Sequence, residues 1–152
     1  MITAENATKR FGDITAVDHV CAEVRDGSVY GLIGSNGAGK STFLRMLAGI
    51  LSPDEGAVRI DGTDIFENIA LKERFFFISD EQFFFPNSTP AEMKNYYKRF
   101  YRRFDEDRYR KLMDGFGLDE NRKIRTFSKG MKKQVSVICG LCAGTDYLFC
   151  DE

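Results

Sequence analysis

The spacing of apolar and polar residues changes period several times along the 152 residues, and each change marks an element. The opening segment through Phe11 predicts a strand closed by the turn Phe11-Gly12-Asp13. Positions from Val20 to Val24 alternate as a second strand, and Arg25-Asp26-Gly27 turns the chain again. The apolar run Val29-Tyr30-Gly31-Leu32-Ile33 predicts a third strand, followed by Phe43, Leu44, Met46, Leu47 and Ile50 at helical spacing. After a loop from Ser52 to Gly56, a short strand is expected from Ala57 to Ile60, with a tight turn at Asp61-Gly62. Phe75-Phe76-Phe77-Ile78 reads as a strand buried on both faces.

From Thr89 to Phe116 the period becomes helical. Met93, Tyr97, Phe100 and Phe104 form one stripe, and Tyr109, Leu112, Met113 and Phe116 another. Asp105-Glu106-Asp107 starts the second helix, and Gly115 and Gly117 end it. A further helix carries Met131, Val135, Ile138, Cys139 and Cys142. The run Tyr147-Leu148-Phe149-Cys150 predicts a buried strand. Strands alternating with helices imply an α/β fold with a parallel core sheet, and the segment from Thr89 adds a small helical lobe. Neither a repeat nor a low-complexity linker interrupts the pattern, so no domain boundary is predicted.

Between the third strand and its helix, Gly34-Ser35-Asn36-Gly37-Ala38-Gly39-Lys40-Ser41-Thr42 matches G-x-x-x-x-G-K-S/T in full. Glycines allow the backbone conformations in which successive N–H groups converge on phosphate oxygens, and a helix beginning near Gly39 adds its positive end. Lys40 is then placed to reach the β- and γ-phosphates, and the Ser41 hydroxyl to ligate Mg²⁺.

The remaining composition narrows the reading. A hydrophobic content of 43% suits a globular core, and the net charge of −1 selects no partner. The opening residues are polar, and the most apolar later stretch, Val135 to Ala143, is too short to span a bilayer. Cys139 and Cys142 have C-x-x-C spacing, but both fall on the apolar stripe of a helix. With Cys21 and Cys150 isolated and His19 the single histidine, no zinc set is expected; the thiols read as small hydrophobes in a reducing compartment. Lys94, Lys98, Arg99, Arg102, Arg103, Arg108, Arg110 and Lys111 punctuate the helical lobe. In a slightly acidic chain they read as a solvated face, and no nucleic-acid partner is expected.

Two later segments extend the chemistry. In Phe127-Ser128-Lys129-Gly130-Met131, Ser128 is placed to cap the cysteine-bearing helix. The Tyr147–Cys150 strand runs into Asp151-Glu152, and acids at the carboxyl end of a parallel strand face the crevice where such sheets bind ligands. Asp151 is suited to the Mg²⁺ shell, and Glu152 to orienting or deprotonating an attacking water.

In this order the motifs resemble, through the whole chain, those of the ATP-binding subunits of ABC transporters. Gly34 to Thr42 is similar to the Walker A loop, and Phe127 to Met131 to the signature LSGGQ. Leu148 to Glu152 resembles the Walker B strand with its catalytic glutamate. Phe11 stands where the family has an aromatic that stacks on adenine, and Val17 where an apolar residue flanks the base. The resemblance implies a P-loop NTPase fold: a RecA-like parallel core sheet, an antiparallel β subdomain, and a helical subdomain at about residues 89–127. It implies ATP and Mg²⁺ as ligands, and a head-to-tail dimer in which Ser128, Lys129, Gly130 and Met131 meet ATP held by the partner. It also implies a transmembrane permease subunit and a cytoplasmic, peripheral place on the inner face of the cell membrane. Phe83-Phe84-Phe85-Pro86 lies where the family receives helices of that subunit.

Three departures stand out. Asp80 occupies the position of the Q-loop glutamine, with Gln82 two residues later. Lys129 and Met131 replace the first Gly and the Gln of the signature, a form similar to ABC-2 type export ATPases. The family also continues into a D-loop, another strand and a switch histidine, a role His19 cannot fill. The chain therefore reads as truncated after Glu152, and little hydrolysis is expected of these residues alone. Two other functions fit the motifs: a soluble ABC ATPase acting on DNA or ribosomes, and a catalytically inactive nucleotide-binding module. The short interval between Lys40 and Ser128 disfavours the DNA types, which carry a long coiled coil there.

Overall fold

A computed structural model describes residues 1–151, which form two compact units, Met1–Lys72 and the residues from Glu73 onward. The sequence shows no linker at this division. The chain passes directly from the short helix Ile69–Lys72 towards the strand Phe75–Ile78, so composition carries no mark of the boundary.

The first unit is built on a hairpin of β1 (Ile2–Phe11) and β2 (Ile14–Val24), closed by the two-residue turn Gly12-Asp13 with Gly12 at φ 58°. Strand β3 (Glu55–Ile60) pairs antiparallel with β1, and β4 (Thr63–Asp64) pairs with β3 across Asp61 and Gly62, both at positive φ. The sheet order is β2-β1-β3-β4. The β1–β2 register shifts near Ala7 and Lys9, and the left-handed residues Asn6 and His19 fall beside these irregularities. Helix α1 (Lys40–Leu47) buries Phe43, Met46 and Leu47, while Ile2, Val58 and Ile60 form the buried side of the sheet.

Val29 to Ile33 forms no strand, contrary to its apolar pattern. Val29 and Ile33 are 102% and 100% exposed, and this segment pairs with no strand among the described residues. Strand propensity describes fit to a pleated, partly buried surface, and here no neighbouring strand supplies one.

In the second unit, β5 (Phe75–Ile78) and β6 (Tyr147–Cys150) pair in parallel, with Phe75 opposite Tyr147 and Ile78 opposite Cys150. A parallel pair needs a crossover. It is supplied by α3 (Pro90–Tyr97), α4 (Glu106–Gly115), a 3₁₀ turn at Ile124–Thr126 and α5 (Lys129–Cys142), the short helix Ile69–Lys72 of the first unit being α2. Thr89 and Glu92 form a reciprocal capping box at α3, Asp105 caps α4, and Gly117 at φ 64° follows its end. Asp146 accepts hydrogen bonds from Arg74 and Arg103 at 2.8 and 2.9 Å, which ties the loop before β6 to the start of β5 and to the α3–α4 connection.

The core of this unit gathers Phe76, Ile78, Tyr109, Met113, Phe127, Val135, Ile138, Cys139 and Cys142. The cysteine stripe is therefore interior, as its period predicts. Two ends of the aromatic stripes are not. Phe100 lies past the end of α3 and is 57% exposed, and Phe116, the residue that ends α4, is 52% exposed. Strand β6 is less enclosed than its sequence suggests, with Leu148 at 37%, because it has one neighbouring strand. Antiparallel sheet, parallel pair and helical segment together give the mixed α/β architecture expected of a P-loop ATPase domain.

Candidate functional site

In the first unit, the loop from Gly34 to Gly39 runs into α1 without a side-chain cap. Gly37 and Gly39 adopt φ 82° and 81°, a region that side-chain-bearing residues enter at a cost. Gly39 is constrained twice over. A Cβ there would lie 2.0 Å from the Ala16 carbonyl oxygen and 3.6 Å from Val17 Cγ2, so the loop backbone rests directly on β2. The Ala38 N–H donates to Ser35 O at 3.2 Å, and the Phe43 N–H to Gly39 O at 2.8 Å, which starts the helix at the required residue.

Gly34, Ser35, Asn36, Gly37 and Ala38 are exposed, and Ser41 and Thr42 are half-buried on the first turn of α1. That turn contains no acidic residue, so nothing offsets the positive helix end towards an anion. Lys40 Nζ arches over the loop and donates to the carbonyls of Gly34 and Ser35, each at 2.9 Å. Its ammonium is thereby held against the loop backbone. Phe11 ends β1 with half its surface exposed, and Lys9 Nζ lies 5.8 Å from its ring centre; Val17 is 5% exposed.

The other site residues belong to the second unit. Asp80 is exposed two residues beyond β5, and Gln82 Nε2 donates to the carbonyls of Ser79 and Asp80 at 3.2 and 2.6 Å. Beside them a cavity of about 120 Å³ is lined by Phe76, Ile78, Gln82, Phe83, Tyr97 and Ser136. The contribution of Ser136 and Tyr97 carries no motif and was not legible in the sequence. Ser128 Oγ accepts from the Met131 N–H at 3.2 Å and caps α5, as expected. Lys129 and Gly130 are exposed, whereas Met131 packs partly against the core.

Asp151 is 4% exposed at the end of β6, and its N–H donates to Ile78 O at 2.9 Å. Glu152 lies outside the described residues. A serine hydroxyl and a carboxylate are hard oxygen donors, the chemistry Mg²⁺ takes together with water and phosphate oxygens, so Ser41 and Asp151 fit that ion by type. No group of three or more His, Cys, Asp or Glu gathers among the described residues, and no helix there is long and apolar enough to cross a membrane. Burial pushes the Cys139 thiol up to about 12 and the Cys142 thiol to about 11, far from the reactive range.

Phe83, Phe84 and Phe85 do not behave alike. Phe84 packs against the core, while Phe83 and Phe85 are exposed. The family resemblance treats the triplet as one segment; the structure divides it by burial.

Comparison with known proteins places these features in context. A family model described as "ABC transporter" matches residues 17–152. The chain is 34% identical to the ABC transporter ATP-binding protein NatA of Bacillus subtilis, covering all of this chain and 66% of that protein. It is 32% identical to the bacitracin transport ATP-binding protein BcrA of Enterococcus faecalis, covering all of this chain and 50% of that one. Among solved structures, the ATP-binding cassette MJ0796, in a dimeric post-hydrolysis state bound to ADP and Pi, aligns with a TM-score of 0.85 at 22% identity. That alignment covers all of this chain and 74% of the other. The chain thus spans about half to two thirds of the length of these two curated relatives.

Proposed function

The chain belongs to the ABC transporter family, and from that membership we propose that it binds ATP with Mg²⁺ and hydrolyses it to power export through a separate membrane-spanning subunit. The observation that carries this reading is the loop from Gly34 to Thr42, with two glycines in left-handed conformation and Lys40 arched across it. Backbone N–H groups, the helix end and Lys40 bind the phosphates, and Phe11 offers an exposed ring to the base. Ser41 would offer a hydroxyl oxygen and Asp151 a carboxylate oxygen to the metal, which when bound would neutralise phosphate charge. Glu152 takes the part of the base that orients water, and Asp80 offers an oxygen at the Q-loop position.

The exposed N-terminus of α5, with Ser128, Lys129 and Gly130, meets ATP held by a second copy or a homologous subunit in a head-to-tail dimer. Phe83 and Phe85 present the surface for the permease, and the protein works peripherally on the cytoplasmic face of the membrane. The ABC-2 export form of the signature supports the direction of transport. The test is phosphate release by the intact protein with its membrane subunit: Lys40→Ala abolishes it. Hydrolysis that survives this substitution would overturn the reading.

A further inference from the structure

Lys133 stands apart from the other lysines at the start of α5. Lys129 is exposed and Lys132 and Lys133 are both half-buried, but it is Lys133 whose Nζ donates to the backbone carbonyl of Asp151, at 3.2 Å. The Asp151 N–H is already bonded to Ile78 O at 2.9 Å. The residue is therefore fastened from both sides, by β5 through its N–H and by α5 through its carbonyl. Ile78 also leads directly to Ser79 and Asp80. Lys133 lies five residues after the cap Ser128, about 7.5 Å along the helix axis at 1.5 Å per residue. One side chain thus links the first turns of α5, the part exposed to a partner, to the backbone of the residue whose buried carboxylate follows β6.

We propose that Lys133 is a positioning residue that fixes Asp151 relative to the signature end of α5, so that engagement of Ser128 by a partner's nucleotide sets the placement of the metal-binding carboxylate. The assignment rests on the ATPase reading above. An ammonium suits the role because it is a charged donor: its bond to a carbonyl is stronger than a neutral one, and the four-carbon stem spans from helix to strand while packing along apolar surface. Lys132, its neighbour in sequence, makes no bond to β6 among the described residues and serves as the control.

The experiment uses the intact protein with Lys133→Met, Lys133→Arg and Lys132→Met. In the nucleotide-free protein, Lys133→Met raises hydrogen exchange at the Asp151 amide about tenfold, with Tyr147 and Phe149 unchanged. In turnover, kcat falls at least tenfold while KM for ATP stays within twofold. Lys133→Arg restores both to within threefold, and Lys132→Met alters neither. If Lys133→Met does not fold, Lys133→Gln, shorter and uncharged, is measured with the same expected split. Unchanged exchange and kcat in Lys133→Met, or an equal effect from Lys132→Met, would overturn the assignment alone. Absence of Lys40-dependent hydrolysis in the parent protein would instead overturn the ATPase reading and the assignment with it.

Discussion

Gly39 sits so close to Ala16 that a Cβ would fall 2.0 Å from the Ala16 carbonyl oxygen, and the phosphate loop is thereby seated on β2 by backbone contact alone. Gly37 has almost the same φ but open space around it. The two positions therefore separate conformational strain from steric conflict. Gly37→Ala is expected to cost about 1–2 kcal/mol, the left-handed penalty by itself. Gly39→Ala adds the clash, which only backbone movement relieves, and is expected to cost about 3 kcal/mol with loss of nucleotide binding. Urea unfolding and titration with a fluorescent ATP analogue measure both; equal losses would remove the clash from the account.

The cap of α5 yields a second prediction. Ser128 bonds the Met131 N–H, yet the first turn holds no acid, and Lys129 at the first helical position adds its charge to the positive helix end. Such a charge is unfavourable there until an anion arrives. Ser128→Ala is expected to lose about 1 kcal/mol of stability. Ser128→Asp keeps the cap and supplies the anion, so its stability equals or exceeds the parent's, while its carboxylate repels a partner's γ-phosphate. Unfolding curves and gel filtration with ATP check the pair. ATP-driven dimerisation of Ser128→Asp at parental affinity would count against the shared site.

The Walker A glycines, the cap at Ser128 and the interior cysteine stripe were all legible in the sequence, because each is a local matter of spacing or of a residue's own backbone preference. Val29–Ile33 was not. Its apolar character states a demand for burial, whereas a strand exists only when a neighbour completes its ladder, and none of the described strands does so. Phe100 and Phe84 failed in opposite directions for a related reason. Helical period alone does not say where α3 ends, so Phe100 shares the stripe's period yet lies beyond the helix, and Phe84, in the segment expected to meet the permease, packs inward. The link from Lys133 to Asp151 depends on tertiary proximity, and no spacing rule announces it.

The buried thiols set an alkaline limit on stability. Unfolded, Cys139 and Cys142 ionise near pH 8.5. In the fold, burial keeps them protonated until about 12 and about 11. Below pH 8.5 neither state has lost these protons, so the thiols contribute no pH dependence. Above it the unfolded chain releases protons that the folded chain retains, and stability falls by about 1.4 kcal/mol per pH unit for each thiol. Denaturant midpoints from pH 7 to 11 should show this slope, reduced in Cys139→Ala. At pH 8 a thiol reagent modifies exposed Cys21 and Cys150 while Cys139 and Cys142 react only on unfolding. A flat profile would mean the thiols ionise alike in both states.

The split within Phe83-Phe84-Phe85 separates packing from docking. Phe83, Phe85, Tyr96 and Phe100 form a chain of edge-to-face contacts with centroid spacings of 5.3, 4.8 and 5.1 Å. Phe83 and Phe100 at its ends are 67% and 57% exposed, an arrangement that holds the rings rigid while leaving them in water. Phe83→Glu removes an exposed ring together with its edge contact on Phe85. Its unfolding free energy should stay within about 1.5 kcal/mol of the parent, and ATP affinity should be unchanged. With the permease in vesicles, however, hydrolysis should continue without transport. Phe84→Glu instead places a carboxylate against the core of the second unit. It is expected to lose about 2–4 kcal/mol, a cavity cost plus an unpaired charge, and to lose nucleotide binding along with transport. Melting curves, ATP titration and the ratio of substrate moved to ATP consumed, measured on both variants, distinguish the roles. A parental coupling ratio in Phe83→Glu would show that the aromatic chain is not where the membrane subunit docks.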